Sequence, residues 1–245
     1  MHQYPYRNAL GALMFLMLCL RFDVSFATIS LSRFASNPSL NMWKAMVMVY
    51  QYLIGTSSIR LTYTRMTDAR NPTMTAYTDS DWATADTEYC RSCIGYIVFL
   101  SGGAISWLTS FRQPGLSTCE VEYYGLGATA LEVVSHHHLL NELKPLQWNT
   151  NSEVYYSEEN EPTTIHTDNI AARQVAQNPV FHKRMKHTHI RHHVIRAFVK
   201  NKIVRFQHVY SADNHADMMV KALAKASLRR HRQAGFGPYK SPNIV

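Results

Sequence analysis

From Ile94 to Leu100 the side chains are apolar or small on both parities. Ile94, Tyr96, Val98 and Leu100 alternate with Gly95, Ile97 and Phe99. A strand of that pattern is buried on both faces, so it belongs inside a sheet covered on each side. Ser101–Gly102–Gly103 follows as a hairpin connection, and Ala104–Leu108 reads as the returning strand. An earlier strand leads to Asp79, with Cys90–Ser92 as a turn before the apolar strand. Downstream the period changes. Cys119–Glu142 reads as a long helix capped by Ser117 or Thr118, with Glu120 and Glu122 in its first turn. Its stripes Tyr124/Ala128/Leu131 and Leu126/Ala130/Val133 demand cover from two sides.

The rest continues the alternation. Thr163–Thr167 is a short strand ending at Asp168, and Asn169–Gln177 is a helix. Ile190–Asn201 is another helix, residues 203–210 form an alternating strand, and Ala216–Ala226 is a last helix. For residues 72–226 the order β-β-β-α-β-α-α-β-α predicts a mixed α/β layer. It excludes a TIM barrel and a doubly wound nucleotide fold.

Residues 1–64 read as helical, with Leu10, Leu13, Met14, Met17 and Leu20 at helical spacing. FASNPSLN, residues 34–41, interrupts them. A second helix begins after Asn41 as its cap, buries Met42, Ala45, Met46, Val49, Tyr52 and Leu53, and ends at Gly55. Residues 65–71 form a polar link, residues 147–162 a polar loop, and residues 227–245 a basic, loose tail. GALMFLMLCL, residues 11–20, falls short of the ~20 residues that span a bilayer. The pattern also lacks a clean signal-cleavage site. The expectation is therefore a cytoplasmic or nuclear protein with reduced thiols and no membrane partner.

Charge is distributed unevenly along the 245 residues. Residues 1–70 hold 7 Lys/Arg against 2 Asp/Glu, residues 71–170 hold 3 against 13, and residues 171–245 hold 15 against 2. An acidic middle beside a basic end suits acids that hold metal next to cations that hold a polyanion. The acids stand at telling places. Asp79 and Asp168 end strands, Glu120 and Glu122 start a helix, and Asp217 opens the last one. Carboxylates converging on one sheet edge repel unless a cation neutralises them. An all-oxygen donor set suits Mg²⁺ or Mn²⁺. By position alone, ordinary helix-dipole acids would look the same.

Other residues tempt. Cys90 and Cys93 are half of a zinc pattern with no second pair, and read as buried thiols. His136, His137 and His138 are consecutive on a helix and cannot meet one ion. Lys183, Arg184, Lys186, His187 and Arg191 line a basic approach to a helix and are candidates for phosphate contact. His215 is a candidate to assist water or product near Asp217, while Trp82 and Trp107 read as packing residues.

Six ordered motifs carry a resemblance: TDSDWA (78–83), GYIVFLSGGAISW (95–107), STCEVEY (117–123), TTIHTDNIAA (163–172), NPVFHKRMKHTHIRHHVIR (178–196) and ADMMVKAL (216–223). They are similar to the ribonuclease H domain of Ty1/copia-type retrotransposon Pol polyproteins. PYRNALGALMFL (5–16), LSRFASNP (31–38) and YLIGTSSIRLTY (52–63) resemble the end of the reverse transcriptase region of the same polyproteins. The resemblance implies a ribonuclease H-like mixed five-stranded sheet flanked by helices, over residues 72–226. Residues 1–64 would be a helical appendage whose apolar face was made for the missing reverse transcriptase portion.

It further implies hydrolysis of the RNA strand of an RNA–DNA hybrid with two Mg²⁺ or Mn²⁺ ions. The family's catalytic and metal-holding acids fall on Asp79, Glu122, Asp168 and Asp217. Three departures stand beside this. The segment around Pro114–Leu116 is short, His189 stands where the family usually has an acid, and MMVKAL lacks a threonine before the lysine. A catalytically inactive nucleic-acid-binding remnant is the alternative.

Overall fold

The computed structural model describes residues 4–63, 74–82, 91–112, 118–143, 162–170 and 189–236, without the side chains of Cys119 and residues 189–193. Three helices come first: α1 (Tyr6–Cys19), α2 (Ser25–Ser32) and α3 (Leu40–Gly55), with a 3₁₀ turn at Phe22–Val24. Then follow β1 (Thr75–Asp81), β2 (Ser92–Leu100), β3 (Gly103–Arg112), α4 (Thr118–Leu143) and β4 (Thr163–Thr167). The chain closes with α5 (His189–Lys200), β5 (Val204–His208), α6 (Asp217–Val220) and α7 (Lys225–Gly235).

The strands form one sheet in the order β3-β2-β1-β4-β5. β1–β2 and β2–β3 are antiparallel, whereas β1–β4 and β4–β5 are parallel. This is the ribonuclease H-like α/β arrangement, a meander extended by two parallel strands. The hairpin turns on Ser101 at φ 52° and Gly102 at φ 78°. Two successive positive φ values suit the right-handed twist of the strands.

β2 is buried from Ser92 to Phe99, as its sequence requires. On one face, Tyr96 and Val98 pack with Ala76, Ile165, Val204 and Phe206 beneath α4 and α5. On the other, Cys93, Ile97 and Phe99 pack with Met218, Met219 and Val220 of α6. Phe22 and Phe236 complete that second core.

The second core joins the N-terminal part to the sheet. Residues 1–64 hold the helices expected ahead of the sheet, and they dock on it. Phe22 is fully buried against the sheet, stacked on Phe236 at 4.3 Å between ring centroids. Trp107 Nε1 donates to Met17 O at 2.9 Å, and Tyr63 Oη donates to Ala104 O at 2.7 Å. The loose tail expected over 227–245 is not loose over 227–236. The last helix breaks at Lys221, and α7 resumes at Lys225 and runs to Gly235, with His231 and Gly235 buried. Residues 237–245 lie outside the described set, as do the expected linker 65–71, the helix over 171–177 and most of the loop over 147–162.

The N-terminal helices also share a core of their own, with Leu10, Leu13, Leu31 and Met46 buried together. Ser39, rather than Asn41, caps α3 by accepting from Met42 N. Of the expected apolar positions Leu20 is exposed, and Phe15, Leu18, Met48 and Ile54, outside those stripes, are each more than half exposed. No helix among the described residues is long and apolar enough to cross a membrane.

Candidate metal centre

Asp79 lies in β1, at the centre of the sheet, opposite Gly95 of β2. The parallel neighbour of β1 is β4, and Asp168 follows its last residue. Asp217 opens α6, which lies across β1 and β2. One carboxylate oxygen from each of Asp79, Asp168 and Asp217 falls within 4.8 Å of the others. Three separate elements thus deliver three acids to one point.

Small residues permit this approach. A Cβ on Gly95 would collide with Met219 Cβ and Val220 Cγ1. Gly95 therefore lets α6 lie directly on β2. On the opposite face, a Cβ on Gly125 would come within 2.7 Å of Ser80 Oγ, so Gly125 lets α4 close on β1. Asn214 ties the turn before α6 to β1, donating from Nδ2 to Thr78 O at 3.1 Å while its Oδ1 accepts from Ala216 N. Thr109 Oγ1 donates to Met219 O at 2.7 Å from the far side. Gly95→Ala should overpack this junction and cost about 1–3 kcal/mol, measured by denaturant unfolding. An unchanged midpoint would show that α6 does not need the close approach.

Glu122 stands beside the three aspartates rather than among them, buried in the first turns of α4. Its Oε2 has no hydrogen-bond partner among the described residues. Burial, then the charge of Asp168, push its pKa up to about 8, against the opposing pull of Asn169, Lys221 and Ser80. Asp79 is also held well above the usual carboxylate range, by burial first and then by Glu122, a hydrogen bond with Asp217, and Asp168. Glu120 points elsewhere and accepts from the Tyr124 hydroxyl at 3.2 Å. The shortened segment before α4 has not pulled Glu122 away from the acids.

Raised carboxylate pKa values carry a stability cost with a definite sign. Below the ordinary carboxylate range both folded and unfolded states hold the proton. As pH rises towards about 8, the unfolded chain releases the Glu122 proton while the folded chain keeps it. In chelator, stability should therefore fall from about pH 5 to about pH 8, by up to about 1.4 kcal/mol per pH unit for each such group. Glu122→Gln should remove its share of the slope in a pH series of unfolding curves. A slope unchanged by Glu122→Gln would contradict the assignment.

Among the described residues, one cation reaches the cluster. Lys221 Nζ lies 2.8 Å from Asp217 Oδ1 and 3.8 Å from Asp79 Oδ2. Burial alone would lower its pKa, but the hydrogen bond and charge of Asp217 and the charge of Asp79 raise it instead. Position was the missing signal in the sequence: a lysine four residues after a helix-opening acid shares its face.

The other candidates separate from the cluster. The His215 ring is engaged by Tyr77, Phe99 and His231, with its Nδ1 3.2 Å from that of His231. Burial, then His231, lower its pKa to about 4, so it is a neutral packing residue. His136 meets Glu132 O and His137 meets Thr163 Oγ1, so the histidine run converges on no ion. Cys93 is buried, and burial pushes its thiol up to about 12. Cys90 is outside the described residues. Trp107 packs in the second core, and Trp82 is exposed. Of the expected phosphate contacts, Lys183, Arg184, Lys186 and His187 lie outside the described residues, as does the side chain of Arg191.

The donor set fits a hard divalent cation. It offers three convergent carboxylates, all-oxygen chemistry, and a buried glutamate oxygen lacking a partner beside them. The chain is 31% identical over 226 residues, 92% of its length, to a retrovirus-related Pol polyprotein from transposon TNT 1-94 of Nicotiana tabacum. It is also 39% identical over 135 residues to the secreted RxLR effector protein 161 of Plasmopara viticola, of which it covers 92%. The chain belongs to the Ty1/copia-type Pol polyprotein family. It spans 16% of the length of the tobacco polyprotein. No family model matches it. Among solved structures, LC11-RNase H1 aligns with 64% of this chain and 96% of its own, at 12% identity and a TM-score of 0.42.

Proposed function

We propose that this Pol segment is a ribonuclease H that cleaves the RNA strand of RNA–DNA hybrids. The observation that carries the reading is the meeting of Asp79, Asp168 and Asp217 within 4.8 Å, with Glu122 buried alongside. Asp79, Asp168, Asp217 and Glu122 would hold two divalent ions, Mg²⁺ or Mn²⁺, through their carboxylate oxygens. Bound there, the ions would activate the attacking water and stabilise the leaving 3′ oxygen.

The chain's own contribution is placement. β1 and β4 hold Asp79 and Asp168 on adjacent strands, and Gly95 and Asn214 seat Asp217 against them. Glu122 and Asp79 must give up the protons that burial favours before they can serve as ligands. Lys183, Arg184, Lys186, His187 and Arg191 would grip the phosphate backbone, with the 2′-hydroxyls and duplex shape telling RNA from DNA. The exposed apolar residues of α1 and α3 would meet the reverse transcriptase portion of a longer polyprotein.

The test is cleavage of a hybrid labelled in either strand. The reading requires cuts in the RNA strand only, leaving 3′-hydroxyl ends, dependent on Mg²⁺ or Mn²⁺ and abolished by chelator. Cleavage in chelator would overturn the metal mechanism. Hybrid binding without cleavage, weakening steeply with salt, would favour the inactive remnant.

A further inference from the structure

The lysine at the acid cluster has a task of its own. Lys221 is the first residue after α6, and its backbone has already turned extended at φ −145° and ψ 159°. Its N–H still bonds Asp217 O at 3.2 Å, so the root of the side chain is fixed to the acid it pairs with. The stem beyond that root lies on the open side of the cluster. The side chain is 42% exposed, against 6% for that of Asp79 and 10% for that of Asp217. The ammonium therefore enters the cluster from solvent and can withdraw the same way.

We propose that Lys221 is a positioning residue, a tethered counter-cation that holds Asp79 and Asp217 together before metal arrives and yields its place to the divalent ion. This rests on the metal-dependent reading above. Two facts of geometry point to the exchange. Asp217 Oδ1 and Asp79 Oδ2 face the ammonium at 2.8 and 3.8 Å, and Asp79 and Asp217 belong to the cluster that would take the ion. An ammonium and a divalent cation on the same carboxylates repel each other strongly in a partly buried site. Lysine suits the exchange. Its charge is compact and strongly hydrated on a flexible stem, whereas an arginine fork would bind the same carboxylates bidentately and leave less readily.

Lys221 thus separates two properties that a bare acid cluster would couple. It lowers the repulsion within the metal-free cluster, and it raises the metal concentration needed to fill it. The experiment compares the full chain with Lys221→Met and Lys221→Arg, using Mn²⁺ alone without nucleic acid. Calorimetric titration reads the affinity, and thermal unfolding in chelator reads the metal-free state. Lys221→Met should bind Mn²⁺ about tenfold more tightly and melt at a lower temperature in chelator. Lys221→Arg should restore the melting temperature and bind Mn²⁺ no more tightly than the unaltered chain. Lys221→Gln supplies the same comparison if Lys221→Met does not fold. Mn²⁺ affinity that is unchanged or weaker without the lysine charge would overturn the exchange while leaving the metal site standing. Absence of Mn²⁺ binding in every form would overturn the exchange together with the metal-dependent reading.

Discussion

Asp79→Asn should leave a folded chain that has lost hybrid cleavage by at least about a thousandfold, equivalent to about 4 kcal/mol of transition-state stabilisation. Asp79 is the most consequential choice because it is central. Its carboxylate meets those of Asp168, just past β4, and Asp217 of α6, and it is almost wholly buried. Asparagine keeps the shape but cannot supply the negative charge that a divalent ion needs. The fold should not suffer. Asp79 is held well above the usual carboxylate range by burial and by its acidic neighbours, so removing its charge relieves strain in the metal-free state. Single-turnover cleavage and thermal unfolding in chelator, measured side by side, check both halves. A variant that retained cleavage within a few-fold would remove Asp79 from the chemistry.

The second large effect lies far from the acids. Phe22→Ala should destabilise the ribonuclease H-like fold by about 3–5 kcal/mol, the usual cost of deleting a buried aromatic side chain. Phe22 is fully buried between Phe236 and Trp107, with ring centroids 4.3 and 5.6 Å away. A Cβ on Gly235 would strike its ring, so α7 has been seated against it. A polar clamp closes the same junction. Arg21 pairs with Asp23 in a two-pronged contact at 2.8 Å, Tyr52 Oη donates to Asp23, and Arg232 donates to Tyr52 Oη at 2.8 Å. Denaturant unfolding followed at the sheet would report the loss. Unfolding confined to the N-terminal helices, with the sheet unchanged, would show that the Phe22 contact does not stabilise the sheet.

What the sequence disclosed and what it hid follow from the range of the signals. β2 shows its double burial because neighbouring positions carry it, and β5 shows its alternation through Val204 and Phe206. The acids were legible by their place at strand ends and helix starts, and three of them meet as expected. Docking of residues 1–64 was not legible. It depends on Phe22, in a short 3₁₀ turn, finding Gly235 and Phe236 more than 200 positions later. No local period encodes such a contact. The helix α7 escaped because KASLRRHRQAG reads as solvated, and only His231 and Gly235 within it are buried. The partner of the acids, Lys221, was within reach of a spacing rule, since it stands four residues after Asp217 in a helix expected to run to Ala226, although α6 itself ends at Val220.

The claim on which the rest depends is that these carboxylates bind divalent cations, and anomalous diffraction from crystals soaked in Mn²⁺ tests it most directly. The expected result is a Mn²⁺ peak within coordination reach of Asp79 and shared with Asp168 or Asp217, with the Lys221 ammonium turned out towards solvent. No peak at the cluster at saturating Mn²⁺, with the three aspartates still converged, would contradict it.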